Sequence, residues 1–283
     1  IYSTESEADN GVYVINIEDG KLLNFFNVGK QKHIVTPVAI LGDQSTRLID
    51  YFYVGDSNGV IYQGNLTSNS SSRWTISQIF NLTSAEGVSY IIEAAYIGNV
   101  KWLFVVMGDY DPLMKDNPND FVVAIKIQKN KQGGEEGVKA WDMEIPAGEA
   151  TTPPVYYNGY LFFATYTPDP NKPCSVGTSH IYLLNATTGA GAWKGSTNNP
   201  NPPYITLTNT KVSGIVLSGD RVYAGVTTTP GADFSSLRNE LGEGANVQTQ
   251  TGLLVFDVPP EVKEHSPYPQ GVIKPSYWRK PQL

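Results

Sequence analysis

The sequence predicts an all-β fold of about five blade-like sheets, and three observations carry that prediction. The first is a recurring unit: an apolar strand, a short Asx/Thr/Gly turn, then a second apolar or aromatic strand. Gly11-Val-Tyr-Val-Ile-Asn-Ile-Glu-Asp-Gly-Lys-Leu-Leu23 and His180-Ile-Tyr-Leu-Leu-Asn-Ala-Thr-Thr-Gly-Ala-Gly-Ala-Trp193 are two copies, turning at Gly20 and Gly189. The second is spacing, since strand pairs return every ~40 to 60 residues, near the blade length of a propeller. The third is composition: charged residues are only 17%, while Gly (27), Pro (19) and Tyr (17) are plentiful. Glycine supplies positive φ and proline punctuates edges, so this mixture suits short strands and tight turns.

In chain order, residues 11–29 read as a hairpin in which Val12, Val14, Ile15 and Ile17 precede Leu22, Leu23, Phe25 and Phe26. A second unit opens at residues 34–40, continues through 49–54, and turns at Gly55-Asp-Ser-Asn-Gly59 into residues 60–66. Asn58 and Gly59 both tolerate the left-handed region, which is strong hairpin chemistry. A polar loop at 67–73 leads to an outer strand at 74–80. The third unit holds a continuous buried-type strand at 100–107, an acidic loop at 108–120, and strands at 121–127 and 139–145 around a solvated tip at 129–137. The fourth runs from Thr152-Pro-Pro-Val-Tyr156 through residues 159–166 and a proline loop to residues 181–193. The fifth has residues 214–226, a long loop over 227–250, and residues 251–258, with 233–241 as the best short-helix candidate.

Residues 1–283 are read as one propeller region, long enough for a sizeable core. A propeller must close its ring or cap its ends so that no blade face is left unpaired. Five partial units, the first entered midway, therefore predict an incomplete C-terminal portion of a larger ring, with strands expected before Ile1.

The net charge of −7 without a Lys/Arg cluster argues against a nucleic-acid partner, which needs basic stripes to displace counterions. No run approaches the ~18 apolar residues of a membrane span, so no membrane insertion is expected. The single Cys174 allows no internal disulfide, and its ordinary role is a small buried side chain. Asn65, Asn69, Asn81 and Asn185 head Asn-x-Ser/Thr sequons, which would matter only in a eukaryotic secretory setting.

The motifs, taken in order, resemble the C-terminal β-propeller of the PilY family of type IV pilus-associated tip adhesins. Residues 12–23, Thr36-Pro-Val-Ala39, Asp50-Tyr-Phe-Tyr-Val-Gly-Asp-Ser-Asn-Gly59, Val106-Met-Gly-Asp-Tyr110, and Phe163-Ala-Thr-Tyr-Thr-Pro168 with residues 177–189 carry the likeness, and Tyr277-Trp278-Arg279 closes it. The resemblance implies an extracellular protein at the pilus tip or outer cell surface, active in adhesion and pilus assembly. Its implied partners are the N-terminal remainder of a parent polypeptide, pilins or minor pilins, and a surface or host ligand.

Calcium is the ligand this family implies, in an acidic loop before the Tyr-x-Tyr strand. Here Asp50 matches a ligand position, Asp43 falls one residue out of register, and Gly42, Gln44 and Thr46 stand where carboxylates belong. Calcium takes six to eight oxygens, so the loop is read as a degenerate site without metal, and no cofactor is expected. The acidic segment 109–120 matches no calcium spacing and reads as a solvated turn. His33, His180 and His265 have no ligand-spaced neighbours, and no Gly-x-Ser-x-Gly elbow singles out a serine.

The expected function is non-catalytic binding through the loops at 67–73, 109–120, 167–179 and 227–250, because loops on rigid blades carry recognition. The alternatives are a quinoprotein-like, PQQ-type dehydrogenase or an outer-membrane assembly scaffold. Asn185-Ala-Thr-Thr-Gly189 followed by Trp193 resembles the tryptophan-docking repeat of quinoproteins, in which an indole staples neighbouring blades. Trp141 and Trp193 are accordingly expected to be structural.

Overall fold

The computed structural model describes residues 2–4, 10–29, 34–42, 48–82, 89–108, 120–145, 148–169, 176–242 and 244–264. Its sheets are set by one recurring turn. The Asn16 carbonyl accepts the Gly20 N–H (2.9 Å) while its side chain accepts that of Glu18 (3.0 Å), and Asn185 does the same with Gly189 (2.8 Å) and Thr187 (3.0 Å). Both glycines sit at φ +72°, so the two sequence copies are one Asx turn closed by a left-handed glycine. Asp56 and Asn130 open similar turns that end at Gly59 and Gly133. At the first of these only Gly59 takes positive φ, so Asn58 does not share the left-handed region as expected.

The first sheet has three strands, β1 (Tyr2–Thr4), β2 (Gly11–Ile15) and β3 (Leu22–Asn27). The second runs β4 (Ala39–Gly42), β5 (Ile49–Gly55), β6 (Val60–Asn65) and β7 (Thr75–Asn81). The third runs β8 (Ser89–Ile97), β9 (Val100–Gly108), β10 (Phe121–Lys129) and β11 (Glu135–Glu144). An eight-stranded sheet follows, with β12 (Glu149–Ala150), β13 (Val155–Tyr157), β14 (Tyr160–Thr167), β15 (Thr178–Asn185), β18 (Tyr204–Ser218), β19 (Arg221–Asp233), β20 (Val247–Gln250) and β21 (Leu253–Asp257). A small hairpin, β16 (Gly195–Ser196) with β17 (Asn199–Pro200), stands outside it, and the helices are α1 (Ser235–Leu241) and α2 (Pro260–Glu264).

The large sheet is two blades joined through β18. Its residues 204–208 pair with β15 and its residues 208–218 pair with β19, the register breaking around Asn209, which takes φ +50°. Counted this way the described residues form five blades, as the repeats predicted. The inner strands converge, β4 packing on β8, and β13 on both β8 and β18.

Alternation along each strand sends successive side chains to opposite seams. In β5, Phe52 and Val54 join Val12 and Phe26 in the first seam, while Tyr53 joins Leu103 and Val105 in the second. In β9, Phe104 and Val106 turn instead to Leu161 and Phe163 in the third seam. Phe162, Ile181 and Leu183 meet Val222, Leu254 and Phe256 in the fourth. Among the described residues, five blades thus enclose four cores.

Two blades start with the same device. Pro37 and Pro153 interrupt the ladder because they cannot donate, and beside each gap the hydroxyl of the preceding threonine accepts an N–H from the neighbouring strand. Thr36 Oγ1 accepts the Gly55 N–H and Thr152 Oγ1 accepts the Ala164 N–H, both at 2.8 Å. Each threonine is buried.

Three expectations need correction. The stretch 227–250 is not a loop: β19 runs on to Asp233, α1 follows where the short helix was predicted, and β20 forms the outer edge. The chain then returns as β21 between β19 and β20, so the fifth blade departs from sequential strand order. In the first hairpin, Ile17, Leu22 and Leu23 are exposed (98%, 56% and 43%), because the core contacts fall at Val12, Val14, Phe26 and Val28 and stop short of the turn. The tip at 129–137 is solvated only through its turn, since Glu135 lies half-buried against the second blade.

Candidate functional site

The ionisable groups that the fold buries are committed to the seams. The Asp56 carboxylate is fully buried; Oδ1 accepts the N–H groups of Asn58 (2.9 Å) and Val60 (3.0 Å), and Oδ2 accepts the Tyr62 hydroxyl (2.8 Å). Burial and the Asp56 charge push the Tyr62 phenol above its usual range.

Between the second and third blades, Lys101 of β9 donates to Glu135 Oε2 of β11, which also accepts from Gln63 Nε2 of β6 at 2.7 Å. Gln63 in turn accepts the Tyr53 hydroxyl (3.1 Å), and the Lys101 ammonium sits 3.6 Å from the Tyr51 ring centroid. Burial pushes Lys101 down against the pull of Glu135 and Asp50. Burial pushes Glu135 up, but the bonds from Lys101 and Gln63 outweigh it and hold the carboxyl below its usual range. Sequence reasoning passed over this network. Its signal was Lys101, a charge inside a run of apolar residues.

Asp50 lies on β5 beside Tyr51, within the field of Lys101, while Asp43 lies outside the described residues. Among the described residues of this loop Asp50 is the one carboxylate, and it lies in the field of the Lys101 ammonium, whereas a calcium site gathers several carboxylates. No group of three or more His, Cys, Asp or Glu among the described residues is arranged to hold a metal. His33, Cys174, His265, residues 109–119 and the 277–279 motif also lie outside the described residues. His180 is a buried strand residue of β15, its Nδ1 3.2 Å from Thr206 Oγ1 and its pKa lowered by burial.

Trp141 acts as the docking motif suggests, while the Trp193 indole bonds within its own blade. Trp141 Nε1 donates to the Ala186 carbonyl at 2.9 Å, and a Cβ placed on Gly189 would lie 2.7 Å from its ring. The indole of the third blade therefore rests on the turn glycine of the fourth. Trp193, only 1% exposed, donates to Ile181 O (3.0 Å) and anchors the chain before the β16–β17 hairpin.

One open groove stands out on the outer rim, with a volume of about 680 Å³. The β16–β17 hairpin of the fourth blade forms one wall, α1 of the fifth forms the other, and residues 204–206 of β18 form the floor. The walls are tied by the Gly195 N–H, which donates to Glu240 Oε2 at 2.7 Å. An aromatic ladder reaches the floor, with Phe163 and Tyr182 4.5 Å apart, Tyr182 and Tyr204 5.1 Å apart, and His180 edge-on to Tyr204 at 4.9 Å. Of the described residues in the loops expected to carry recognition, those of 227–250 contribute, through α1.

Blades stacked seam to seam around converging inner strands define an arc of a β-propeller. The same fold is seen in the crystal structure of the Pseudomonas aeruginosa PilY1 C-terminal domain, with a TM-score of 0.54 and 11% sequence identity. The match covers 80% of this chain and 66% of that domain, so the chain spans just under two thirds of it. No protein-family model matches the sequence. No curated protein matches it either.

Proposed function

We propose that the chain is a non-catalytic propeller segment of a type IV pilus-associated adhesin of the PilY kind, working at the pilus tip or outer cell surface. The observation that carries this reading is the fold shared with the PilY1 C-terminal domain. The ordered motifs from residue 12 to residue 189 support it. In this reading the segment belongs to a longer polypeptide and presents its rim to pilins or minor pilins and to a surface or host ligand. It needs no cofactor, and Lys101 already supplies a positive charge beside Asp50. The buried ionisable groups favour a platform over an enzyme, because Asp56, Lys101 and Glu135 are spent on turns and seams.

The test is removal of this segment from its parent in the native host, with surface pili and adherent cells counted, alongside binding of the purified protein to purified pilins. Fewer pili or less adherence, together with pilin binding, is expected. Unchanged piliation and adherence would sink the reading, as would quinone-dependent, dye-linked alcohol oxidation by the purified protein.

A further inference from the structure

We propose that the groove between the β16–β17 hairpin and α1 binds a neutral saccharide. This inference does not rest on the pilus reading. At about 680 Å³ the groove falls within the ~300–1,000 Å³ range of small-molecule sites. Its walls come from different blades, yet the Gly195–Glu240 bond and the anchor at Trp193 fix their separation, so little ordering cost falls on a ligand.

The chemistry of the lining selects the ligand class. Asn199 on one wall and Ser236 and Asn239 on the other carry side chains with no hydrogen bond to a described residue. Each amide offers two donors and an acceptor oxygen, and the hydroxyl offers both, which is the complement of vicinal sugar hydroxyls that donate and accept in turn. On the floor, Tyr204 packs its ring with Tyr182 and His180 against the core of the third seam, so the groove meets the edge of β18 there rather than an aromatic face. Among the described residues that line the groove there is no lysine or arginine, and the one formal charge is the Glu240 carboxylate. Phosphate, sulfate and carboxylate ligands therefore gain nothing there, which leaves uncharged, hydroxyl-rich molecules.

Saturation-transfer NMR and calorimetry on the whole chain, with glucose, galactose, mannose and N-acetylglucosamine, test this, with glucose-6-phosphate as the charged comparison. At least one neutral sugar is expected to bind in the millimolar range and glucose-6-phosphate more weakly than glucose. Asn239→Ala is expected to weaken that binding about tenfold, the loss of a hydrogen bond or two to the ligand. Asn239 is exposed on a helix, where alanine is the best helix former, so this variant folds, and an unchanged melting midpoint checks it. No binding by any of the four sugars would overturn the proposal. Preference for the phosphorylated sugar would also do so, as would full binding by a doubly substituted Asn199→Ala/Asn239→Ala protein.

Discussion

The Glu93 carboxylate of β8 accepts the backbone N–H of Tyr156 in β13 at 3.4 Å, across the seam between the third and fourth blades. Burial pushes this carboxyl up to about 7 from its ordinary 4.5, against the smaller opposing pull of that bond. A raised acid pKa means that the folded state holds a proton the unfolded chain has released. Stability is therefore full below about pH 4.5, falls as pH rises toward 7, and then levels, for a loss on the order of 3 kcal/mol. Glu93→Gln is expected to flatten this region of the profile and to melt higher than the parent at pH 8. Thermal melts from pH 4 to 8 decide it, and parallel curves for the two proteins would refute the assignment.

Gly189 and Gly20 offer a matched pair. Both sit at φ +72°, but a Cβ on Gly20 meets nothing within 4 Å, whereas one on Gly189 meets the Trp141 ring. Gly20→Ala is expected to cost ~1–2 kcal/mol, the strain of a left-handed L-residue. Gly189→Ala should cost more, and the excess should vanish in a Trp141→Ala background. Equal costs for the two glycine variants in denaturant unfolding would show that the indole does not bear on the turn.

The Lys101–Glu135 pair predicts non-additivity. Lys101→Met leaves the Glu135 carboxylate with Gln63 alone at a partly shielded seam, for a cost of about 2 kcal/mol. Adding Glu135→Gln should recover some of that loss, because no charge is then left unpaired. Because Glu135 is held below its usual range, its contribution is present above the ordinary carboxylate pKa and fades as pH falls through the lowered one. A double variant as unstable as the summed singles would show that the two residues act independently.

For the threonines, Thr36→Val and Thr152→Val keep the shape but strand the Gly55 and Ala164 N–H groups. Each should lose ~1–3 kcal/mol, while Thr→Ser at either position retains the acceptor and loses less. Serine variants as unstable as the valine ones would point to packing of the methyl group instead.

The blades were legible where alternation and turn chemistry coincided. Val12 to Phe26, Phe52 to Tyr62 and Phe162 to Leu184 combine both signals, and all fold as hairpins or neighbouring strands. What escaped was weaker or nonlocal. The first half of β18, Tyr204-Ile-Thr-Leu-Thr208, alternates, but its threonines and the following Asn209 resemble loop. β8 was missed because its run of Ile91, Ile92, Ala94 and Ala95 carries Glu93 in the middle and lacks a clean period. The groove could not be read at all, since Asn199 and Asn239 lie on different blades and only the Gly195–Glu240 bond brings their walls together.

The bend of β18 at Asn209 has a mechanical consequence. Tension entering the chain at this strand cannot peel one blade away bond by bond while the other stays whole. It must load the ladder to β15 on one side of the bend and the ladder to β19 on the other, in shear rather than in unzipping. The last two blades should thus yield to a pulling force as one unit, while the first three, which among the described residues share no strand with a neighbour, come away in succession.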